Sequence, residues 1–489
     1  MENQKIHRAK GWQLPLYACN QIGINMYVFF MSFIAYYMNG FLGVAVVLAT
    51  SFMTIMRIWD AFTDPVGGHV LDKLETKFGK FRPFMIVGNL GMLVTTYIMV
   101  HVSHSLPEKG RFPFFIVIYM LYVIFMTMQN TVGRAGLAAM TNDQKQRAVY
   151  GTYEAIFITL LYTIMPTFFY GTLVGMTRGF NLDFFNRAWL IVAPISLFFT
   201  IVSMIGIAPA DHPENFIKND ENVMKFSLKK YWDVLKGNKA MQMLVISAST
   251  DKLATQVQGN ATASVLLYGI VVGNLAMSGA IQAYTSIPSI IFILGGVGFI
   301  AAKLGQNKAM VVSSVGGLIT CTALVLLFVF GDPTTMAFPG YEGFNGWTVF
   351  TLLFLVLWIL MKGFAAISNG VITPMIADVT DYEVYRTGNF VPGLIGTVFS
   401  FVDKFISSFG TTVVGLVCAA IGFTSELPTA ETPLTPSIKA AALFCMFGIV
   451  MIGLICNLIA MKFYPLSRQK MDEIEEEIAA IKAKAGIAG

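Results

Sequence analysis

The chain has 489 residues, of which 55% are hydrophobic, 13% aromatic and only 12% charged. Soluble domains carry about 25% charged residues, so this chain lacks the polar side chains to cover a water-exposed globule, and a soluble enzyme does not fit it. The formal charge of +5 is informative only through where the basic residues fall.

Length alone would suggest about three soluble domains, yet apolar runs of about 20 residues recur from end to end, as in a polytopic membrane protein. At the start, Lys5, Arg8 and Lys10 precede an apolar run with no small-residue cleavage site. The first span is therefore expected to be kept and the mature chain to begin at Met1. Twelve spans follow, at about 13–38, 43–66, 83–102, 113–139, 148–174, 188–208, 240–270, 281–302, 309–330, 347–376, 391–423 and 438–461. The hydrophilic stretch 210–239, with Lys218, Lys225, Lys229, Lys230 and Lys236, divides them into two groups of six. The expected organisation is an N-terminal six-helix bundle (1–209), a cytoplasmic linker (210–239), a C-terminal six-helix bundle (240–465) and a cytoplasmic tail (466–489). In that tail Ile474, Ile478 and Ile481 form one stripe of a short amphipathic helix that should rest on the cytoplasmic face.

Lys and Arg outside the spans crowd the termini and the even-to-odd connections. The odd-to-even connections hold only Lys109, Arg111, Arg178 and Arg187. Positive charge is retained inside, which predicts cytoplasmic termini and a cell (inner) membrane protein. Cys19, Cys321, Cys418, Cys445 and Cys456 lie in apolar segments without CxxC spacing, and the five histidines form no metal-binding pattern. Neither a disulfide framework nor a zinc site is suggested.

Charged residues inside or beside spans carry the functional signal: Arg57, Asp60, Asp64, Arg134, Glu154, Asp251, Lys252, Lys362, Asp403, Lys404 and Lys439. Each central charge costs about 2.5–3.5 kcal/mol on the insertion scale, so such residues pair or line a hydrated path. Lys439, at a span edge, reads as a snorkelling side chain. The sharpest pattern is RIWDAFTDP in the second span, where Arg57, Asp60 and Asp64 share one helix face. Two carboxylates one turn apart repel, so the site holds a proton, recruits a basic side chain or binds a cation. Alternatively, Arg57 neutralises one of them structurally.

RIWDAFTDP with GGHVLDKLETKFGKFRP, and later MIADVTDYEVYRTGNF with Lys404 downstream, resemble the two signatures of the glycoside-pentoside-hexuronide:cation symporters within the major facilitator superfamily. The resemblance implies an all-α fold of twelve transmembrane helices in two bundles that move by alternating access. It implies that Asp60, Asp64, Thr63 and Thr127 bind the coupling cation, Asp60 and Asp64 being the metal ligands if that cation is sodium. Lys404 then lies near those carboxylates, and Arg57, Arg147, Asp378 and Asp381 belong to a charge and gate network.

The departures concern the substrate. Where the melibiose-type carriers of that family place a carboxylate and a tryptophan in helix four, this chain has Asn130 and Arg134. The helix-one carboxylate is also missing, with Asn20, Gln21 and Asn25 nearby. Loss of acceptors and gain of a planar donor fork favour an anionic substrate. Asn130, Arg134, Lys404, Lys362, Asn25 and Ser400 are the candidate substrate ligands. Lys252 could add to the basic lining, although Asp251 beside it could be its local partner; Arg134 could instead pair with Glu154.

The reading is therefore secondary active transport of a sugar or glycoside by cation symport, an acidic hexuronide-like one being favoured and a neutral glycoside or pentoside the alternative. A channel or sensor on a transporter frame is the reading outside the carrier class. A membrane enzyme finds no HExxH, GxSxG or CxxC. The expected partners are the sugar, a monovalent cation (Na+ or H+) and the bilayer, with no other cofactor, no nucleic acid and a monomer sufficient.

Overall fold

A computed structural model describes residues 8–73, 76–141, 143–211, 235–292, 305–338, 347–387, 392–467, 469–471, 473–474 and 477. The expected linker falls almost wholly outside these residues, as does the end of the tail. Among the described residues the chain is helical, with no strand beyond one isolated bridge between Thr76 and Gly79.

The first six helices are α1 (Gln13–Leu42), α2 (Val46–Lys73), α3 (Phe81–His101), α4 (Glu108–Met140), α5 (Gln144–Phe168, continued to Thr177) and α6 (Leu182–Ile207). The next six are α7 (Lys239–Gln258, continued through Ala261–Val271), α8 (Met277–Phe292), α9 (Gln306–Phe330), α10 (Val349–Thr387), α11 (Pro392–Ser408 and Gly410–Ala420) and α12 (Pro436–Leu443, continued to Phe463). Among the described residues ten are long and apolar enough to cross a membrane. The two that fall short are α7, whose first stretch carries Asp251, Lys252 and several glutamines, and α8, whose continuation lies outside the described residues.

The chain divides into two compact units. The first comprises Met1–Lys225 with Leu275–Ala283 and Cys418–Ala430; the second comprises Phe226–Asn274, Tyr284–Val417 and Glu431–Gly489. The short segment 418–430 is stapled into the first unit by backbone polarity. Asn39 of α1 donates to the Ser425 carbonyl (2.6 Å) and accepts from the Leu427 N–H (2.9 Å), Tyr36 donates to the Pro428 carbonyl (3.1 Å), and the Val46 N–H donates to the Thr424 carbonyl (3.2 Å). Tyr36 also faces the Phe180 ring, and Phe33 stacks on Phe169, giving this end of the unit an aromatic core.

In the second unit, a cluster of buried residues from α7, α10, α11 and α12 extends to Met471 and Ile474 of the tail. Ile474 is fully buried. Of the apolar stripe read from the sequence, Ile474 packs on this unit, and Ile478 and Ile481 lie outside the described residues.

One connection fixes the first unit with particular economy. After α2, the chain reverses at Gly79, whose φ of +93° is a left-handed conformation suited to glycine. A Cβ there would also meet the Asp211 carboxyl at 2.3 Å. Asp211, at the end of α6, is fully buried and seated on the N-terminus of α3. It accepts from the N–H groups of Lys80 (2.6 Å), Phe81 (3.0 Å) and Arg82 (2.8 Å) and from Arg82 Nε (3.2 Å). A carboxylate on a helix N-terminus meets unpaired donors and the positive end of the dipole together. Asp211→Ala strands those donors and should cost about 1–3 kcal/mol, read as a lower melting temperature in detergent; Gly79→Ala should do the same through strain and collision.

Candidate functional site

In the first unit, α2 and α4 bring three of the four candidate cation ligands together. Thr127 Oγ1 of α4 donates to Asp60 Oδ1 of α2 at 3.1 Å, and lies 2.9 Å from Thr63 Oγ1. Thr63 also donates to the Asp60 carbonyl one turn back, at 3.0 Å. Asp60 and Thr63 face α4 because they are three residues apart on one helix face. Asp64, one turn beyond Asp60, is half-buried. Arg57 interacts electrostatically with Asp60 and with the phenols of Tyr119 and Tyr162.

The approach of α2 to α4 depends on Gly67. A Cβ at that position would meet Thr127 Cγ2 at 2.9 Å and Thr131 Oγ1 at 3.2 Å. Gly67 is therefore a positioning residue that sequence reasoning did not select, although it stands in the GG that follows the two carboxylates. Among the described residues no three His, Cys, Asp or Glu side chains gather into a metal cluster. Carboxylate and hydroxyl oxygens without nitrogen or sulfur are a hard donor set, suited to an alkali cation rather than to zinc.

One turn along α4, Asn130 lines a cavity of about 480 Å³ with Gln21 of α1 and Tyr150 and Glu154 of α5. Asn25 holds the Tyr162 hydroxyl at 3.3 Å and its own Gln21 carbonyl at 2.9 Å. Asn20 has a different role. It is fully buried and accepts from Gln129 (3.1 Å), which also donates to Thr200 (2.8 Å); Asn89 donates to Ser196 and Thr200 at 2.8 and 2.9 Å. This internal network joins α1, α3, α4 and α6. Arg134 follows Asn130 on α4 and Arg147 lies on α5; both side chains fall outside the described residues.

In the second unit the basic candidates occupy distinct settings. Lys362 of α10 donates to Gln258 Oε1 at 2.5 Å and stands 4.9 Å from the centre of the Trp358 ring. Gln258 in turn donates to the Met446 carbonyl at 2.9 Å, where α12 widens into a π turn at Phe444–Gly448. Lys252 pairs with Asp403 of α11 at 2.6 Å; Asp251, the adjacent carboxylate, is not its partner. Along a helix, adjacent residues diverge by about 100°, so Lys252 turns to α11 while Asp251 turns to α10 and α12. Lys404 and Ser400 are half-buried on α11, and Asp378 and Asp381 on α10.

The second family signature also holds a structural knot that the sequence did not disclose. Buried Glu383 accepts from Arg386 (2.9 Å) and from Asn238 (2.8 Å), and Asn238 caps α7 through the Met241 N–H.

Asp403 is 7% exposed and its lysine partner 51%, so removing the lysine leaves a buried carboxylate that water reaches poorly. Lys252→Met should destabilise by about 1–3 kcal/mol, whereas the double change Lys252→Met with Asp403→Leu should recover most of the loss in a detergent melting experiment.

Comparison with known proteins places this geometry. Residues 16–468 match the family described as MFS/sugar transport protein. The glucuronide carrier protein homolog of Escherichia coli (strain K12) is 23% identical over 461 residues, covering 91% of this chain and 90% of that protein. The putative sulfoquinovose importer of Salmonella typhimurium is 22% identical, with 88% and 84% covered, and the raffinose carrier protein of Pediococcus pentosaceus is 21% identical, with 88% and 64% covered. Among solved structures, the nucleoside transporter NupG superposes with a TM-score of 0.59 at 13% identity, over 94% of this chain and 100% of that one, which shows the fold alone. With helices of membrane-crossing length, a major facilitator fold and a family match over nearly its whole length, the chain belongs to the MFS/sugar transport protein family and is a multi-pass membrane transporter, not an enzyme.

Proposed function

We propose that the chain imports a sugar or glycoside by symport with a monovalent cation, by alternating access, in the cell (inner) membrane with both termini cytoplasmic. The observation that carries the coupling is the convergence of Asp60, Thr63 and Thr127 on two helices of one unit. Asp64, one turn away on the same face, completes the proposed ligand set. Thr63 and Thr127 supply neutral oxygens that sodium uses and a proton does not need, so sodium is the favoured ion. Arg57 neutralises part of the acidic pair by virtue of its position on the same helix.

Varying sodium at fixed pH, and then pH at fixed sodium, in proteoliposome uptake separates the two ions. Asp60→Asn or Asp64→Asn should abolish coupled accumulation while leaving counterflow measurable, and Thr127→Val should weaken sodium activation about tenfold, equivalent to roughly 1.4 kcal/mol. Full accumulation in both amide variants overturns symport through this site.

For the substrate, we infer an acidic sugar, with Asn130, Arg134, Asn25, Lys362, Lys404 and Ser400 as its ligands. What supports this is Lys362, an ammonium whose partners are a neutral amide and an indole ring. A partly buried cation that meets no carboxylate among the described residues favours an incoming carboxylate or sulfonate. The glucuronide carrier homolog and the sulfoquinovose importer belong to the same set of relatives.

A second reading rests on Glu154, whose place in the wall of the Asn130 cavity offers a carboxylate to sugar hydroxyls; it favours a neutral glycoside, as in the raffinose carrier. Competition uptake decides. Uronides or sulfonated sugars should compete and neutral glycosides should not, and Lys362→Gln should raise the KM for the acidic sugar at least about tenfold, the worth of one modest charge-assisted contact. Competition by neutral glycosides alone establishes the second reading.

A further inference from the structure

Asp251 of α7 belongs to none of the ligand sets above. Its Oδ2 accepts the Ser368 hydroxyl of α10 at 3.0 Å and lies 3.4 Å from the amide nitrogen of Asn457 on α12. Ser368 and Asn457 are buried, and so is Ser247, whose hydroxyl occupies the Asn457 oxygen. The Asn457 nitrogen also approaches the Ser368 hydroxyl at 3.4 Å, closing a small polar knot where three helices of the second unit meet. Among the described residues, the groups that bond this carboxyl are neutral.

Several charged groups on the surrounding helices have partners of their own. Lys252, the next residue, bonds Asp403 of α11, and Lys404 acts on that same Asp403. Lys362 of α10 bonds Gln258, and Glu383, further along α10 beyond Asp378 and Asp381, is taken by Arg386. Lys239 lies over the Phe463 ring at the beginning of α7. Cys321 of α9 and Cys445 and Cys456 of α12 are in no disulfide.

A lone carboxylate in a membrane span costs about 2.5–3.5 kcal/mol on the insertion scale. One good donor and one long one offset only part of that. Both described bonds fall on Oδ2, so a proton on Oδ1 removes the charge without breaking a bond of the knot. The side chain is half-buried rather than sealed, as exchange requires.

We propose that Asp251 is a proton-binding site of the second unit, taking one proton from water at Oδ1 and releasing it again, separate from Asp60 and Asp64. The site stands whether the coupling ion at Asp60 is sodium or a proton, since it shares no residue with that cluster.

Acid-minus-alkaline infrared difference spectra of the purified full chain in liposomes report protonated carboxyl groups by their C=O stretch. One such band should persist in Asp60→Asn and Asp64→Asn, vanish in Asp251→Asn, and shift in Ser368→Ala, which keeps the acid but removes its donor. An Asp251→Asn spectrum equal to that of the unaltered chain overturns the proposal, as does a band that follows sodium at fixed pH. If Asp251→Asn does not fold, Ser368→Ala decides alone, an unshifted band being the overturning result.

Discussion

A polar or charged group inside a hydrocarbon slab has no water to turn to, and each must be satisfied by the chain itself. That constraint accounts for most of the specific geometry in this protein. Asp403 is met by a lysine, Asp60 by a threonine hydroxyl from a neighbouring helix, and Asp251 by a serine and an asparagine. The three solutions are not equivalent. An ammonium neutralises the carboxylate permanently, whereas hydroxyls and amides supply dipoles and leave a net charge for something mobile to cancel. Asp60 also feels Arg57 on its own helix, the described groups bonded to Asp251 are neutral, and Asp403 is held by a permanent counter-charge.

The backbone contributes through its irregularities. α5, α7 and α12 each widen into a π turn, at Phe169–Leu173, Val265–Val271 and Phe444–Gly448. Such turns loosen the regular carbonyl ladder, and at Met446 the carbonyl is used by Gln258, which then presents its own oxygen to Lys362. A half-buried ammonium is thus oriented by an amide that is itself oriented by a helix defect. Thr167, just before the first π turn, donates to the Gly279 carbonyl of α8 at 2.9 Å, and a Cβ on Gly279 would collide with the Thr167 backbone at 2.4 Å. Small residues and hydroxyls at such crossings let helices pack at backbone distance.

Much of this was legible in the sequence, and the reason is periodicity. Runs of apolar residues fix where helices lie along the chain, and the i, i+3, i+7 placement of Arg57, Asp60 and Asp64 fixes which face they share. Where charge interrupts the apolar run, as in α7, the span is still helical but no longer apolar enough to stand out. Which faces meet across long separations was not legible. The pairing of Lys252 with Asp403 joins residues 151 apart, and the nearer Asp251 was the natural but wrong candidate. The seat of Asp211 on α3 and the knot of Glu383, Arg386 and Asn238 were invisible for the same reason: charged residues at helix ends read as solvated until the packing is known. Gly67 could have been found, because a glycine one turn past two intramembrane carboxylates invites the question of what approaches it.

The relation between the proposed cation ligands and the cavity lined by Asn130 follows from a single helix. Thr127 faces Asp60 and Thr63, while Asn130, three residues on, lines the cavity with Gln21, Tyr150 and Glu154. Residues three apart on a helix are neighbours on its surface, and neither can move without the other. A cation drawing Thr127 and Asp60 together fixes the rotation and depth of α4, and with it the cavity wall. Gly67 tightens the linkage, because its missing side chain lets Thr127 and Thr131 of α4 pack directly on the α2 backbone. Any free energy by which the cation improves sugar binding must reappear as improved cation binding in the presence of sugar. Under the proposed symport, coupling needs no direct contact between the two ligands, only one helix turn with the proposed cation ligands on one side and the cavity on the other.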